Sequence, residues 1–168
     1  FFTPEQAPAR LSNLREKLEL FERFGVERVF ILRFNKRFAQ VSAEDFISRI
    51  LHQGLQARWV LVGDDFRFGA KRAGDFTMLQ QAGKQYSFEV EAMDSVTVSG
   101  QRASSTVVRE ALASGDLALA ERYLGRHYSI SGKVVHGERL GRKIGFPTAN
   151  IQMKHNKPPL AGIFAVEV

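Results

Sequence analysis

Apolar spacing changes character once along this chain, near residue 125. After an extended opening over residues 1–10, Leu14, Leu18, Phe21 and Phe24 recur at helical intervals. Asn13 stands ahead of them as a cap, Glu16 at the reciprocal capping position, and Gly25 as a stop. Val29-Phe30-Ile31-Leu32 is a short continuous apolar run, the pattern of a strand buried on both faces. Ser42 caps a second helix containing Phe46, Ile50 and Leu51, and Trp59-Val60-Leu61-Val62 reads as a second buried strand. A glycine-rich loop over 63–74 leads to a helix near 75–82, and Tyr86-Ser87-Phe88-Glu89-Val90 alternates as a third strand. Helix and strand alternating to about residue 93 predict an α/β fold, a parallel sheet with covering helices. Two more helices are expected near 105–114 and 116–124, with Asp116 capping the second.

After Gly125 the helical period disappears. Tyr128-Ser129-Ile130-Ser131-Gly132-Lys133-Val134-Val135 alternates polar and apolar residues, and Gly and Pro turns follow. Short strands with such turns predict a β-barrel or sandwich. The domain boundary therefore falls near 124–127, dividing the chain into 1–124 and 125–168.

Composition narrows the class without naming it. The 168 residues are 44% apolar and 25% charged, enough for one well-cored domain or two small ones. With no cysteine, disulfides and thiolate metal sites are excluded, which fits a cytoplasmic protein. No apolar run reaches spanning length, so no membrane partner is expected. The net charge of +6 attracts nucleic acid, acidic membranes or phosphorylated small molecules alike. Its densest clusters, at 67–72 and 139–143, sit in glycine-rich loops, which favours a compact phosphate ligand over a duplex. The opening Phe1-Phe2-Thr3-Pro4 and the strand-like close Ile163-Phe164-Ala165-Val166-Glu167-Val168 suggest a piece of a longer protein.

Three segments carry candidate chemistry. Gly63, Asp64, Asp65, Phe66, Arg67, Phe68 and Gly69 follow directly on a buried strand, where open α/β sheets bind ligands. The glycines allow close approach, the two phenylalanines could stack on a planar ring, and the aspartates could hold a ribose or base. The same residues also suit a solvated turn with a helix-capping aspartate. In Ser104-Ser105-Thr106-Val107-Val108-Arg109, hydroxyls gather where a helix begins. Its free N–H groups favour an anion, and Arg109 shares a face with Thr106. Plain Ser/Thr capping with a surface arginine is the alternative. In Gly141-Arg142-Lys143-Ile144-Gly145-Phe146-Pro147-Thr148-Ala149-Asn150, a turn brings two cations close to a threonine hydroxyl and an asparagine amide. That set suits nucleotide phosphates and their Mg²⁺, and also an ordinary basic turn. His52, His127, His136 and His155 are dispersed, without metal-ligand spacing. No P-loop, dinucleotide fingerprint or nucleophile elbow occurs.

In this order, across this change of style, the three segments resemble the bacterial bifunctional riboflavin kinase/FAD synthetase family. The resemblance covers nearly the whole chain. It rests on Gly63 to Gly69, on Ser104-Ser105-Thr106-Val107-Val108-Arg109 as the nucleotidyltransferase Ser-Ser-Thr-x-x-Arg motif, and on Gly145-Phe146-Pro147-Thr148-Ala149-Asn150 as the kinase Pro-Thr-Ala-Asn motif. Leu124-Gly125-Arg126 and Val134-Val135-His136-Gly137 also match.

The resemblance implies a Rossmann-like nucleotidyltransferase sheet over 1–124, then the first part of a riboflavin kinase β-barrel over 125–168. It implies ATP with Mg²⁺, and riboflavin and FMN as substrates. Ser105, Thr106 and Arg109 would bind ATP phosphates in adenylyl transfer. Gly63, Asp64, Asp65, Phe66, Phe68 and Gly69 would form the flavin and nucleotide loop. Gly145, Pro147, Arg142, Lys143, Thr148 and Asn150 would serve the kinase, with Thr148 and Asn150 on the metal. The chain lacks the family's His-x-Gly-His motif and the glutamate base expected later in the kinase, and Ala103 replaces a larger apolar residue. By itself it is therefore expected to be inactive. A non-catalytic flavin or nucleotide binder is the alternative, and a basic nucleic-acid module a further one.

Overall fold

The computed structural model describes residues 7–63, 65–138, 141, 144–146, 148–153 and 157–168. Contacts divide the chain into two units, one of residues 30–96, the other of the stretch up to Val29 together with Thr97–Val168.

The first unit is a parallel strand pair carried by helices. Strand β1, Trp59–Gly63, pairs with β2, Glu89–Met93, in the register Trp59↔Glu89 to Gly63↔Met93. A parallel pair needs a crossover, and helix α3, Phe76–Tyr86, supplies it. Asp75 starts α3 by accepting from the Met78 N–H at 2.9 Å. Its face buries Leu79 and Ala82 beside Ile47, Ala43, Phe68 and Phe88. Gly83 is where α3 meets β2: a Cβ there would stand 2.5 Å from the Phe88 carbonyl oxygen. Ser42 caps the helix α2, Ala43–Asp45, which continues as a π-helix over Phe46–Gly54.

Sequence and structure differ here at three strands: β1 forms where expected, but Trp59 and Leu61 are exposed and not buried. Val29 to Leu32 forms no strand, and Phe30, Ile31 and Leu32 are more than half exposed. An apolar run becomes a strand only where a neighbour takes up its N–H and C=O groups, and none is paired with it among the described residues. The third strand starts at Glu89, not Tyr86, because α3 runs on to Tyr86 and stops at Ser87 in the left-handed region, φ 60°. Phe88 then turns into the core.

The second unit opens with α1, Leu14–Arg23, closed by a reciprocal capping box. The Glu16 N–H donates to Asn13 Oδ1 at 3.0 Å, and the Asn13 N–H to Glu16 Oε2 at 2.7 Å. Strands β3, Thr97–Val98, and β4, Gln101–Arg102, form a hairpin. Its turn residues Ser99 and Gly100 both have positive φ, as a tight two-residue hairpin requires. Helices α4, Ser105–Ala113, and α5, Leu117–Leu124, pack on each other around Val108, Ala111, Leu112 and Ala120. Asp116 caps α5, as expected, and Gly125 ends it in the left-handed region. Strands β5, Lys133–Val135, and β6, Asn150–Gln152, pair antiparallel. The strand-like run 163–168 is irregular.

The two-unit division does not fall at 124–127. Residues just past Gly125 are bonded to the start of the chain. The Tyr128 hydroxyl donates to the Leu11 carbonyl at 3.1 Å. Glu16 Oε1 accepts from the Ser131 N–H at 2.7 Å and from its hydroxyl at 2.9 Å. Burial, then the Glu16 charge, push the Tyr128 phenol up to about 12, with Arg126 opposing.

Two predictions follow from this packing. Gly83→Ala should lower stability by about 1–3 kcal/mol, through the clash with backbone, in thermal denaturation. The raised Tyr128 pKa means the folded protein holds this proton more tightly than the unfolded chain. Stability should therefore hold below about pH 10 and fall as pH rises toward about 12. Tyr128→Phe should flatten that stretch in urea denaturation across a pH series.

Candidate functional sites

The loop after β1 is built around one buried ring. The Phe66 N–H donates to the Gly63 carbonyl at 3.1 Å, turning the chain as it leaves the strand. Phe68 and Gly74 then exchange backbone bonds at 3.1 and 2.9 Å. Gly74 admits the Phe68 ring, since a Cβ there would lie 2.5 Å from it. Gly69, at φ 72°, lies against the backbone of Ala43, where a Cβ would come within 2.6 Å. Phe68 itself is buried, stacked on Phe66 with centroids 5.5 Å apart and tilted against Phe46 at 5.3 Å.

This arrangement separates residues that the sequence treated alike. Phe68 is a core side chain without a free face for a planar ligand. Phe66 is half-buried beyond it, and Asp65 is exposed. Asp64 lies outside the described residues. Lys71 and Arg72 stand exposed on consecutive left-handed backbone positions, φ 55° and 60°.

The hydroxyl cluster starts α4. Ser104 is the cap, its Oγ accepting from the Val107 N–H at 3.4 Å. That leaves Ser105 and Thr106 exposed in the first turn, where backbone N–H groups have no intrahelical acceptor. Arg109 is half-buried, and its Nε–H donates to the Ala9 carbonyl at 2.7 Å. Sequence reasoning missed Ala9. A backbone carbonyl a hundred residues away leaves no mark in residue type.

The third segment turns on two glycines. The Phe146 N–H donates to the Gly141 carbonyl at 2.8 Å, and Gly145 sits at φ 85°. Gly141 lies close to Thr148, since a Cβ on it would be 3.2 Å from Thr148 Cγ2. Asn150 begins β6 opposite Val135 and lies over Gly137, whose Cβ would be 3.0 Å from Asn150 Cγ. Thr148 and Asn150 are both exposed. Arg142, Lys143 and Pro147 lie outside the described residues. No cluster of three His, Cys, Asp or Glu residues suited to a metal occurs among the described residues. The α4 terminus and the 141–150 segment belong to the second unit, the 63–69 loop to the first.

Residues 1–107 match the family model for FAD synthetase. The chain belongs to the FAD synthetase family. Residues 124–168 of this FAD synthetase relative match a second model, for riboflavin kinase. A bifunctional riboflavin kinase/FMN adenylyltransferase from Escherichia coli is 50% identical over 167 residues, covering 99% of this chain and 53% of that protein. Those of Pseudomonas fluorescens and Haemophilus influenzae are 50% and 46% identical, with 100% of this chain and 54% of each covered. The chain spans about half the length of these curated relatives. The crystal structure of a macrolide-efflux protein from Streptococcus pneumoniae shares the fold, with a TM-score of 0.71 and 28% identity over 90% of this chain and 51% of that one. No helix among the described residues is long and apolar enough to cross a membrane.

The buried ring makes a test of the first loop. Phe68→Ala should cost about 3–5 kcal/mol of stability in chemical denaturation. Phe66→Ala, at a half-buried position, should cost clearly less. Equal losses would mean that Phe68 does not organise the loop.

Proposed function

We propose that the whole protein makes flavin nucleotides in two ATP-dependent steps. In the first, the riboflavin 5′-hydroxyl oxygen attacks the γ-phosphorus of ATP. The bond to the β,γ-bridging oxygen breaks, the hydroxyl proton is lost, and FMN and ADP form. In the second, an FMN phosphate oxygen attacks the α-phosphorus of ATP and pyrophosphate leaves, giving FAD. Residues 1–124 serve the second step and residues 125–168 contribute to the first. The supporting observation is the order of the two family matches along one chain, with 50% identity to proteins of that double name.

The local geometry fits these roles. Ser105 and Thr106 offer hydroxyls and backbone N–H groups at a helix N-terminus, the setting that favours phosphate oxygens. Arg109 adds a cationic fork for the β- and γ-phosphates, and such donors stabilise departing pyrophosphate. Asp64, Asp65, Phe66 and the backbone at Gly63 and Gly69 are the candidates for holding flavin or nucleotide, with Phe68 as support for Phe66. In the kinase segment, Gly145, Pro147, Arg142 and Lys143 would shape and charge the phosphate loop.

Thr148 and Asn150 fit Mg²⁺ by their chemistry, a hydroxyl and an amide oxygen, both hard and both exposed on one short segment. Bound there with ATP, the ion would neutralise phosphate charge. We place the reactions in the cytoplasm, acting on small molecules and not on nucleic acid.

A product assay tests this reading. The whole protein, given ATP–Mg²⁺, should convert riboflavin to FMN and FMN to FAD, separated by chromatography. The 168-residue chain alone should make neither. Arg109→Ala should lower kcat/KM for FAD formation by about a hundredfold, the loss typical of one transition-state donor. The same variant should leave FMN formation intact, whereas Asn150→Ala should do the reverse. No product from the whole protein would overturn the reading in favour of a non-catalytic binder.

A further inference from the structure

Six residues of the second unit form one continuous line of contacts. Arg109 Nε–H is bonded to the Ala9 carbonyl. Two residues on, the Leu11 carbonyl accepts from Tyr128, while the Leu11 side chain packs on the α4–α5 core. Beyond Leu11 the chain enters the α1 capping box, and Glu16 turns back to Ser131. Segment 9–16 is thus fastened at one end to the arginine of the Ser-Ser-Thr-x-x-Arg motif. At the other it is fastened to the first residues of the riboflavin kinase match.

Two physical points give this line a consequence. A guanidinium is planar, so fixing its Nε–H fixes the plane and leaves the terminal nitrogens to meet a phosphate as a fork. An error of about 1 Å in such a group is enough to weaken its action. On one side the segment borders an open cleft of about 450 Å³, lined by Leu11, Ser12, Glu16, Arg126, His127 and Ser131 among others. On that side directional bonds, added to the packing of Leu11, hold it.

We propose that residues 9–16 are a positioning strap, by which Tyr128 and Glu16 hold the Ala9 carbonyl where it aims Arg109 at ATP. The kinase end of the chain thereby sets the ATP affinity of adenylyl transfer. Tyr128 and Glu16 are positioning residues and touch no substrate. The functional half rests on Arg109 as a phosphate ligand, but the mechanical half does not.

The test uses Tyr128→Phe, Glu16→Gln and Glu16→Ala in the whole protein. Hydrogen exchange is followed in peptides over 7–13 and 105–113, with α3 as the unaffected control. Tyr128→Phe and Glu16→Ala should speed exchange in both peptides. They should raise the KM for ATP in FAD formation about fivefold, the worth of one hydrogen bond, with kcat within about twofold. Glu16→Gln, which keeps an oxygen for Ser131, should fall between Glu16→Ala and wild type. Unchanged exchange over 105–113 in all three variants overturns the strap. So does a KM that stays fixed while kcat and melting temperature fall together. The expected exchange pattern in a protein that makes no FAD would sustain the strap and overturn the proposed reaction.

Discussion

The second unit depends on one buried carboxylate. Glu16 is 7% exposed, and a charge so placed is tolerated only when hydrogen bonds replace its water. Asn13 donates to one oxygen, and Ser131 gives the other both its backbone N–H and its hydroxyl. The capping box thus does more than begin a helix. It imports a segment from beyond Gly125 to complete itself. That is why the contact division ignores the change of sequence style near 125, and why the start of the chain belongs with α4, α5 and the β5–β6 pair.

Local signals were legible wherever the chain answers to its near neighbours. Asn13 with Glu16, Ser42 and Asp116 all cap helices through side chains that bond a backbone N–H three residues on. Trp59 to Val62 forms a strand, with Trp59 and Leu61 exposed where burial was expected, and the parallel pairing follows from the intervening helix. Residues whose state depends on distant partners were misread. Val29 to Leu32 carries the composition of a buried strand, but no neighbour pairs with it among the described residues. Phe88 looked like one step in an alternation, yet it is a core anchor after a left-handed stop at Ser87.

The candidate sites divide along the same line. Ser105 and Thr106 were visible because helix termini announce their own unpaired N–H groups. The roles of Phe66 and Phe68 were not separable in sequence. Two identical side chains two residues apart differ here because Gly74 admits one ring to the core. Tyr128 and Ser131 carried no chemical signal at all, since their partners lie more than a hundred residues away.

Along the chain, residues 30–96 of the first unit separate the two parts of the second, which ends at Val29 and resumes at Thr97. During synthesis α1 emerges long before Ser131, and its carboxylate must wait, hydrated, for 115 residues of chain. Closing so long a loop as free coil would be slow. If residues 30–96 fold first, as a vectorially made domain can, the intervening coil shortens to a compact body with two exits. Assembly of the second unit is then contingent on the first. A lesion in the Leu79–Phe88 core would surface as a failure of α1 and α4, which contain neither residue.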